Sequence, residues 1–211
     1  MDVTIRRLGR DDGAAFEAAL EIYRSEIELS EQRPEDELRA LLSREDYLIA
    51  VAERGGRVVG FSISWLPEPD EEIFWLFEYA AIAASERGQG IGAALFRRTL
   101  QAADPHNVGL IEADVARDAV SARRLRFYAG LGCRKIEGLE YLLPLRVAGM
   151  PPPMMLLGHI SRVATHLTRD MVERALRRIY VDVYHQRPDD PRIAEMIRPL
   201  PWQVPFADLA G

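Results

Sequence analysis

The chain has 211 residues, 48% of them hydrophobic, with a net charge of −6 and a pI of about 5.4. That length and composition support one substantial core, and the acidic balance argues against a nucleic-acid partner and leans toward a cationic or amine-bearing one. The single cysteine, Cys133, excludes an internal disulfide framework, and His106, His159, His166 and His185 show no metal-ligand spacing, so no metal is expected.

No apolar run approaches the roughly 18 residues of a membrane span, and the first residues lack the basic, apolar and small-residue order of a secretory leader. A cytoplasmic protein with no membrane partner is the expectation.

Residues 3–8 alternate as a first strand would. Asp11, Asp12 and Gly13 can cap a helix carrying Phe16, Leu20, Tyr23 and Ile27, and Pro34 suits the start of a second helix with Leu38, Leu41 and Leu42 on its buried side. Residues 47–53 and 57–66 are rich in β-branched and aromatic types and are separated by Arg54-Gly55-Gly56, which predicts a hairpin. An acidic loop over 67–72 follows.

Residues 73–83 are almost entirely apolar, as a strand buried on both faces is, and Glu78 is the one charge among them. Glycines Gly88, Gly90 and Gly92 come next, opening a helix in which Ile91, Leu95, Thr99 and Ala102 recur at helical spacing. Strand, glycine turn and helix start together form a ready anion site, because the first helical N–H groups are unpaired and carry the positive end of the dipole. The stretch reads as a pyrophosphate cradle. A turn with no ligand is the plainer alternative, but closely spaced glycines cost conformational entropy with no packing return.

The chain continues with a turn at 104–107, a fifth strand at 108–115 and a helix at 119–130 with Ala122, Leu125 and Ala129 facing the core. Residues 134–145 and 154–160 supply two more strands, separated by Pro151, Pro152 and Pro153. From Ser161 onward the chain looks like an addition: Thr168 can cap a helix with Met171, Ala175, Ile179 and Val183 in one row beside Val172, Leu176, Tyr180 and Tyr184. That stripe docks either on its own chain or in a homodimer contact.

Two nucleotide patterns overlap at the glycines. Gly88-x-Gly90-x-x-Ala93 matches a dinucleotide fingerprint, with Glu112 or Asp114 about twenty residues on as a ribose-binding acid. Arg87-x-x-Gly90-x-Gly92 resembles instead the acyl-coenzyme A signature of the GNAT N-acetyltransferase superfamily. The β–α–α–β–β–β–α order before and after the motif fits the second pattern, since a dinucleotide fold places its glycines after the first strand. Phe127-Tyr128 followed by Gly132 resembles a further segment of that family, and residues 153–157 resemble its last strand. The likeness covers about residues 3–160. Ser121 stands where the family often has asparagine, Arg124 where it has a small residue, and Cys133 where it has phenylalanine.

The resemblance implies an α/β fold, GNAT-like, with a mixed, mostly antiparallel central sheet flanked by helices, over residues 1–160, followed by a helical extension at 161–211. It implies acetyl-CoA as co-substrate with no metal, held by backbone N–H groups of Gly88, Gly90, Ile91, Gly92 and Ala93 with Arg87 and Gln89 in the loop. Ala80, Ala81 and Ile82 would meet the pantetheine arm, with Ser121 on the fourth helix as a further contact. The acceptor would be a small-molecule or peptide amine. Such an amine, with a pKa near ~10, is mostly protonated at neutral pH, so Glu78 is the candidate base and Tyr128 the candidate acid for the departing thiolate. The plainer readings are a structural carboxylate and a core tyrosine. Glu26, Glu28 and Glu31 can attract a cation, although such a run also fits a solvated helix face. The alternative function is a non-catalytic acyl-CoA-binding regulatory module.

Overall fold

The computed structural model describes residues 2–68, 74–103, 108–144, 153–159 and 167–209. The expected turn at 104–107, Ile73, His106, His166 and most of the proline-rich connection lie outside the described residues. Among the described residues the chain divides into two units, one holding 2–68 and 77–103, the other 74–76, 108–144, 153–159 and 167–209. The fold is α/β, a large, mostly antiparallel sheet flanked by helices, as the resemblance implies.

The first unit runs β1 (Thr4–Arg7), α1 (Gly13–Glu26), a short 3-10 turn at Leu29–Glu31, α2 (Glu35–Leu41), β2 (Tyr47–Arg54), β3 (Arg57–Trp65), β4 (Phe74–Ile82) and α3 (Ile91–Ala102). Its strands lie in the order β1-β2-β3-β4, and β4 gives its first three residues to the second unit. The hairpin forms where expected: Gly55 and Gly56 both have positive φ (57° and 76°), as a tight twisted turn between β2 and β3 requires. Asp12 precedes α1 but does not cap it. Its carboxylate turns back to the Gly9 N–H (2.8 Å) and the Arg6 guanidinium (2.7 Å), so nearer donors, one of them charged, take the expected cap.

Both faces of β3 are covered, which is why it is buried almost throughout. Phe61 meets Tyr23 of α1 with ring centroids 6.0 Å apart, while on the opposite parity the Ser64 hydroxyl bonds to Thr99 of α3 at 2.9 Å. Gly60 brings this strand against the end of β4: a Cβ there would lie 2.6 Å from Ile82 Cδ1.

The second unit adds β5 (Val108–Asp114), α4 (Ala119–Gly130), β6 (Cys133–Ile136), β7 (Met154–His159), β8 (Leu167–Thr168), α5 (Arg169–Arg178), α6 (Pro191–Ile197), β9 (Gln203–Val204) and β10 (Phe206–Ala207). The order is β4-β5-β7-β6-β10, so the end of the chain returns to the sheet and pairs with β6. β6 is far shorter than the strand expected over 134–145. Gly138 takes a positive φ of 79° and turns the chain, and the edge of Lys135 and Ile136 is taken by β10, so Leu139, Tyr141 and Leu143 alternate inward without joining a ladder.

α4 is rotated from the expected face. Ser121, Leu125 and Tyr128 are buried and Ala129 is exposed, because burying a tyrosine ring removes far more apolar surface than burying an alanine. Thr168 caps α5 as predicted, its hydroxyl accepting from the Met171 N–H at 3.3 Å. The stripe of Val172, Ala175, Leu176 and Ile179 is buried within the chain, against Leu110, Ile136 and Leu156 in part, and needs no second copy to cover it. The helix then widens, with the Tyr184 N–H reaching Ile179 O, and closes on His185 at φ 53°. Among the described residues no helix is long and apolar enough to cross a membrane.

Candidate functional site

The glycine loop is built as the sequence implies. A 3-10 turn at Ala84–Glu86 leads to Arg87; Gly88 and Gly90 then take left-handed φ of 78° and 77°, and Gly90 is the residue before α3. No side chain caps that helix and its first turn holds no acid, so its leading N–H groups face outward with the positive end of the dipole unopposed. A Cβ on either glycine would meet nothing within 4 Å, which leaves open space beside the backbone. These features fit a diphosphate.

The loop's side chains are held from behind. Arg54 Nη1, at the end of β2, donates to Glu86 and, at 2.7 Å, to the Gln89 amide oxygen, while Gln89 Nε2 donates to Glu86 at 3.3 Å. Gln89 therefore braces the loop with its side chain. Arg87 is half exposed and pairs with Glu26 at the end of α1. At the end of β4 the small residues Ala80 and Ala81, together with Ile82, keep the strand surface low, and Ala80 and Ile82 stay partly open.

Glu78 is enclosed. One carboxylate oxygen accepts from Arg33 Nη1 at 2.7 Å and the other lies 3.5 Å from the Tyr47 hydroxyl, with 2% and 0% of the Arg33 and Glu78 side chains exposed. The same connection between α1 and α2 is stitched twice more, by Tyr79 donating to Glu31 O and by the Arg33 N–H donating to the Tyr23 hydroxyl, each at 2.7 Å. Burial, above all, pushes the Tyr23 phenol up to about 12, and burial and then the Glu78 charge raise Tyr47. Nothing local in the sequence marks Arg33 as the partner of Glu78. It lies 45 residues away on an irregular segment.

In the second unit Tyr128 is buried on α4, and burial raises its phenol well above the ordinary value, with Arg124 pulling in the opposite direction. Ser121 is buried too, but its hydroxyl is engaged in the cap: it accepts from the Arg117 and Asp118 N–H groups while the Asp118 carboxylate accepts the Ser121 N–H. Arg124, where a small residue was expected by resemblance, is the ion partner of buried Asp114. Glu112 accepts from the hydroxyls of Tyr141 and, at 2.6 Å, Tyr184. Both acids that a dinucleotide reading would assign to a ribose are thus committed to protein partners.

The structure therefore gathers Arg87, Gly88, Gln89, Gly90, Ile91, Gly92 and Ala93 into one loop and helix start, places Glu78, Ala80, Ala81 and Ile82 on the one strand preceding it, and sets Ser121 and Tyr128 on α4.

A family profile described as the acetyltransferase (GNAT) family matches residues 15–132. A curated relative, an L-2,4-diaminobutyric acid acetyltransferase from Nocardia farcinica, is 41% identical over 70 residues, 32% of this chain, and the match spans only 35% of that relative's length. Among solved structures, a putative GNAT acetyltransferase from Bacteroides thetaiotaomicron superposes with a TM-score of 0.70 at 17% identity, covering 87% of this chain and 99% of that one. The ribosomal-protein-S18-alanine N-acetyltransferase of Escherichia coli does so with a TM-score of 0.58 at 17% identity, over 79% of this chain and 99% of the other. At such identities the structural likeness speaks for the fold, and the profile over more than half of the chain speaks for descent: the chain belongs to the GNAT acetyltransferase family.

Proposed function

We propose that the protein transfers the acetyl group of acetyl-CoA to a primary amine, by direct attack of the amine while both substrates are bound. The observation that carries this reading is the uncapped start of α3 behind two left-handed glycines, opening onto free space in a chain of this family. The N–H groups of Gly88, Gly90, Ile91, Gly92 and Ala93 hold the diphosphate, Arg87 turns to it from Glu26, and the main chain of Ala80, Ala81 and Ile82 lies along the pantetheine arm. When bound, acetyl-CoA supplies an activated thioester and a thiolate leaving group.

Tyr128 is the proton donor. The phenol holds its proton at neutral pH and so has one to give, but burial raises its pKa and makes it a weaker acid. The likeness of Phe127-Tyr128 and Gly132 to the family segment, not the pKa, supports the role. Glu78 acts as a positioning residue: its buried pair with Arg33 supports an anchoring role for the connection between α1 and α2 more than direct contact with an amine. The acceptor is a small primary amine carrying positive charge. Glu26 at the end of α1, Glu28 and Glu31 on that connection, and the diaminobutyric acid acetyltransferase relative support this class.

A panel of diamines, amino acids and peptide amines, with thiol release as the readout, tests the reading. Turnover is expected with short diamines, and Tyr128→Phe is expected to lower it by about 10²–10⁴-fold with acetyl-CoA binding intact. Normal turnover in that variant would remove Tyr128 from the mechanism, and no thiol release with any amine would leave only an acyl-CoA-binding module.

A further inference from the structure

The loop that presents amides to an anion also carries an acid. Glu86 stands two residues before Gly88, and a bare carboxylate there would oppose a diphosphate. Its charge is met by Arg54, the last residue of β2, whose Nη1 bonds to Glu86 and to Gln89 at the same time. The two side chains are 23% and 17% exposed, so solvent screens the pair only in part. Arg54 is held there at a cost, because its Nε is buried with no hydrogen-bond partner among the described residues.

We propose that Arg54 is a positioning residue for coenzyme binding, which neutralises Glu86 and fixes Gln89 so that the loop offers its amides without a competing negative charge. The inference rests on the coenzyme reading given above. It assigns a role to a residue 32 positions from Glu86 in the chain, acting through Glu86 and Gln89.

Calorimetric titration of acetyl-CoA into the full chain tests it with three variants. Arg54→Met is expected to weaken binding by about tenfold or more, with kcat at saturating coenzyme little changed. Glu86→Gln, which removes only the charge, is expected to bind at least as well as wild type. Arg54→Met combined with Glu86→Gln is expected to return to within about threefold of wild type, and the defect of Arg54→Met is expected to shrink in high salt. Wild-type affinity in Arg54→Met would overturn the inference. So would a defect that Glu86→Gln fails to rescue, which would make Arg54 a mere brace or a direct ligand contact. Failure of the wild-type protein to bind acetyl-CoA would instead overturn the coenzyme reading itself.

Discussion

Arg33 and Glu78, 45 residues apart, meet 2.7 Å from one another as a buried ion pair. Two opposite charges removed from water depend on each other: loss of Arg33 takes from buried Glu78 its charged partner, whereas loss of Glu78 leaves Arg33 a longer bridge to part-exposed Glu37 at 3.4 Å. Arg33→Met is therefore expected to destabilise the protein by about 3–5 kcal/mol in urea unfolding and Glu78→Gln by less, whereas Arg33→Met with Glu78→Met together is expected to recover most of the loss. The double variant also separates two roles. If Glu78 only positions the connection between α1 and α2, turnover returns with stability; a stable double variant slowed by about 10²–10⁴-fold would make Glu78 a general base.

Alkaline pH is expected to act through Cys133. The thiol is 2% exposed, and burial pushes it up to about 12 from an ordinary 9.0. The folded state thus keeps its proton when the unfolded chain has lost it, so the stabilisation is complete below pH 9 and is lost progressively as pH rises toward 12. Between those values wild type is expected to lose up to about 1.4 kcal/mol per pH unit more than Cys133→Ala. Tyr23, also raised to about 12, adds the same slope to both proteins above its ordinary 10.0. Equal slopes in the two proteins would show that the thiol is not shielded.

The end of the chain is expected to matter for stability. A Cβ on Gly158 of β7 would lie 2.2 Å from Cε1 of Phe206 in β10. Gly158→Ala should displace that ring and cost about 1–3 kcal/mol, and the cost should fall sharply in a Phe206→Ala background, because the two changes share one contact. Additive effects would mean that the Phe206 ring does not lie over Gly158.

Elements written in local chemistry were readable from the residues alone. The Gly55-Gly56 hairpin, the Thr168 cap and the strand, glycine and helix sequence around Gly90 each need only neighbours a few positions apart. α6 also carried a local signal in Asp190-Pro191, where the aspartate caps and the proline occupies the first turn, but a short helix with a weak apolar row does not announce itself. The alternation of Leu139, Tyr141 and Leu143 looks like a strand, and only the turn at Gly138 and the late arrival of β10 explain why it is not one. In the site, the anion-facing loop was legible for the same local reason. Its supports were not, since Arg33 with Glu78 and Arg54 with Glu86 each join a strand to an irregular segment or turn far away in the chain, which leaves no periodic trace.

The coenzyme loop itself is tested most directly by titrating acetyl-CoA into the wild-type protein and into Gly90→Val, with circular dichroism showing that the variant is folded. Gly90 holds a φ of 77° that valine tolerates poorly, and its missing side chain leaves the space that the diphosphate is to occupy. Micromolar binding by wild type and a loss of about tenfold or more in Gly90→Val is the predicted result. No binding by wild type, or equal binding by both proteins, would contradict it.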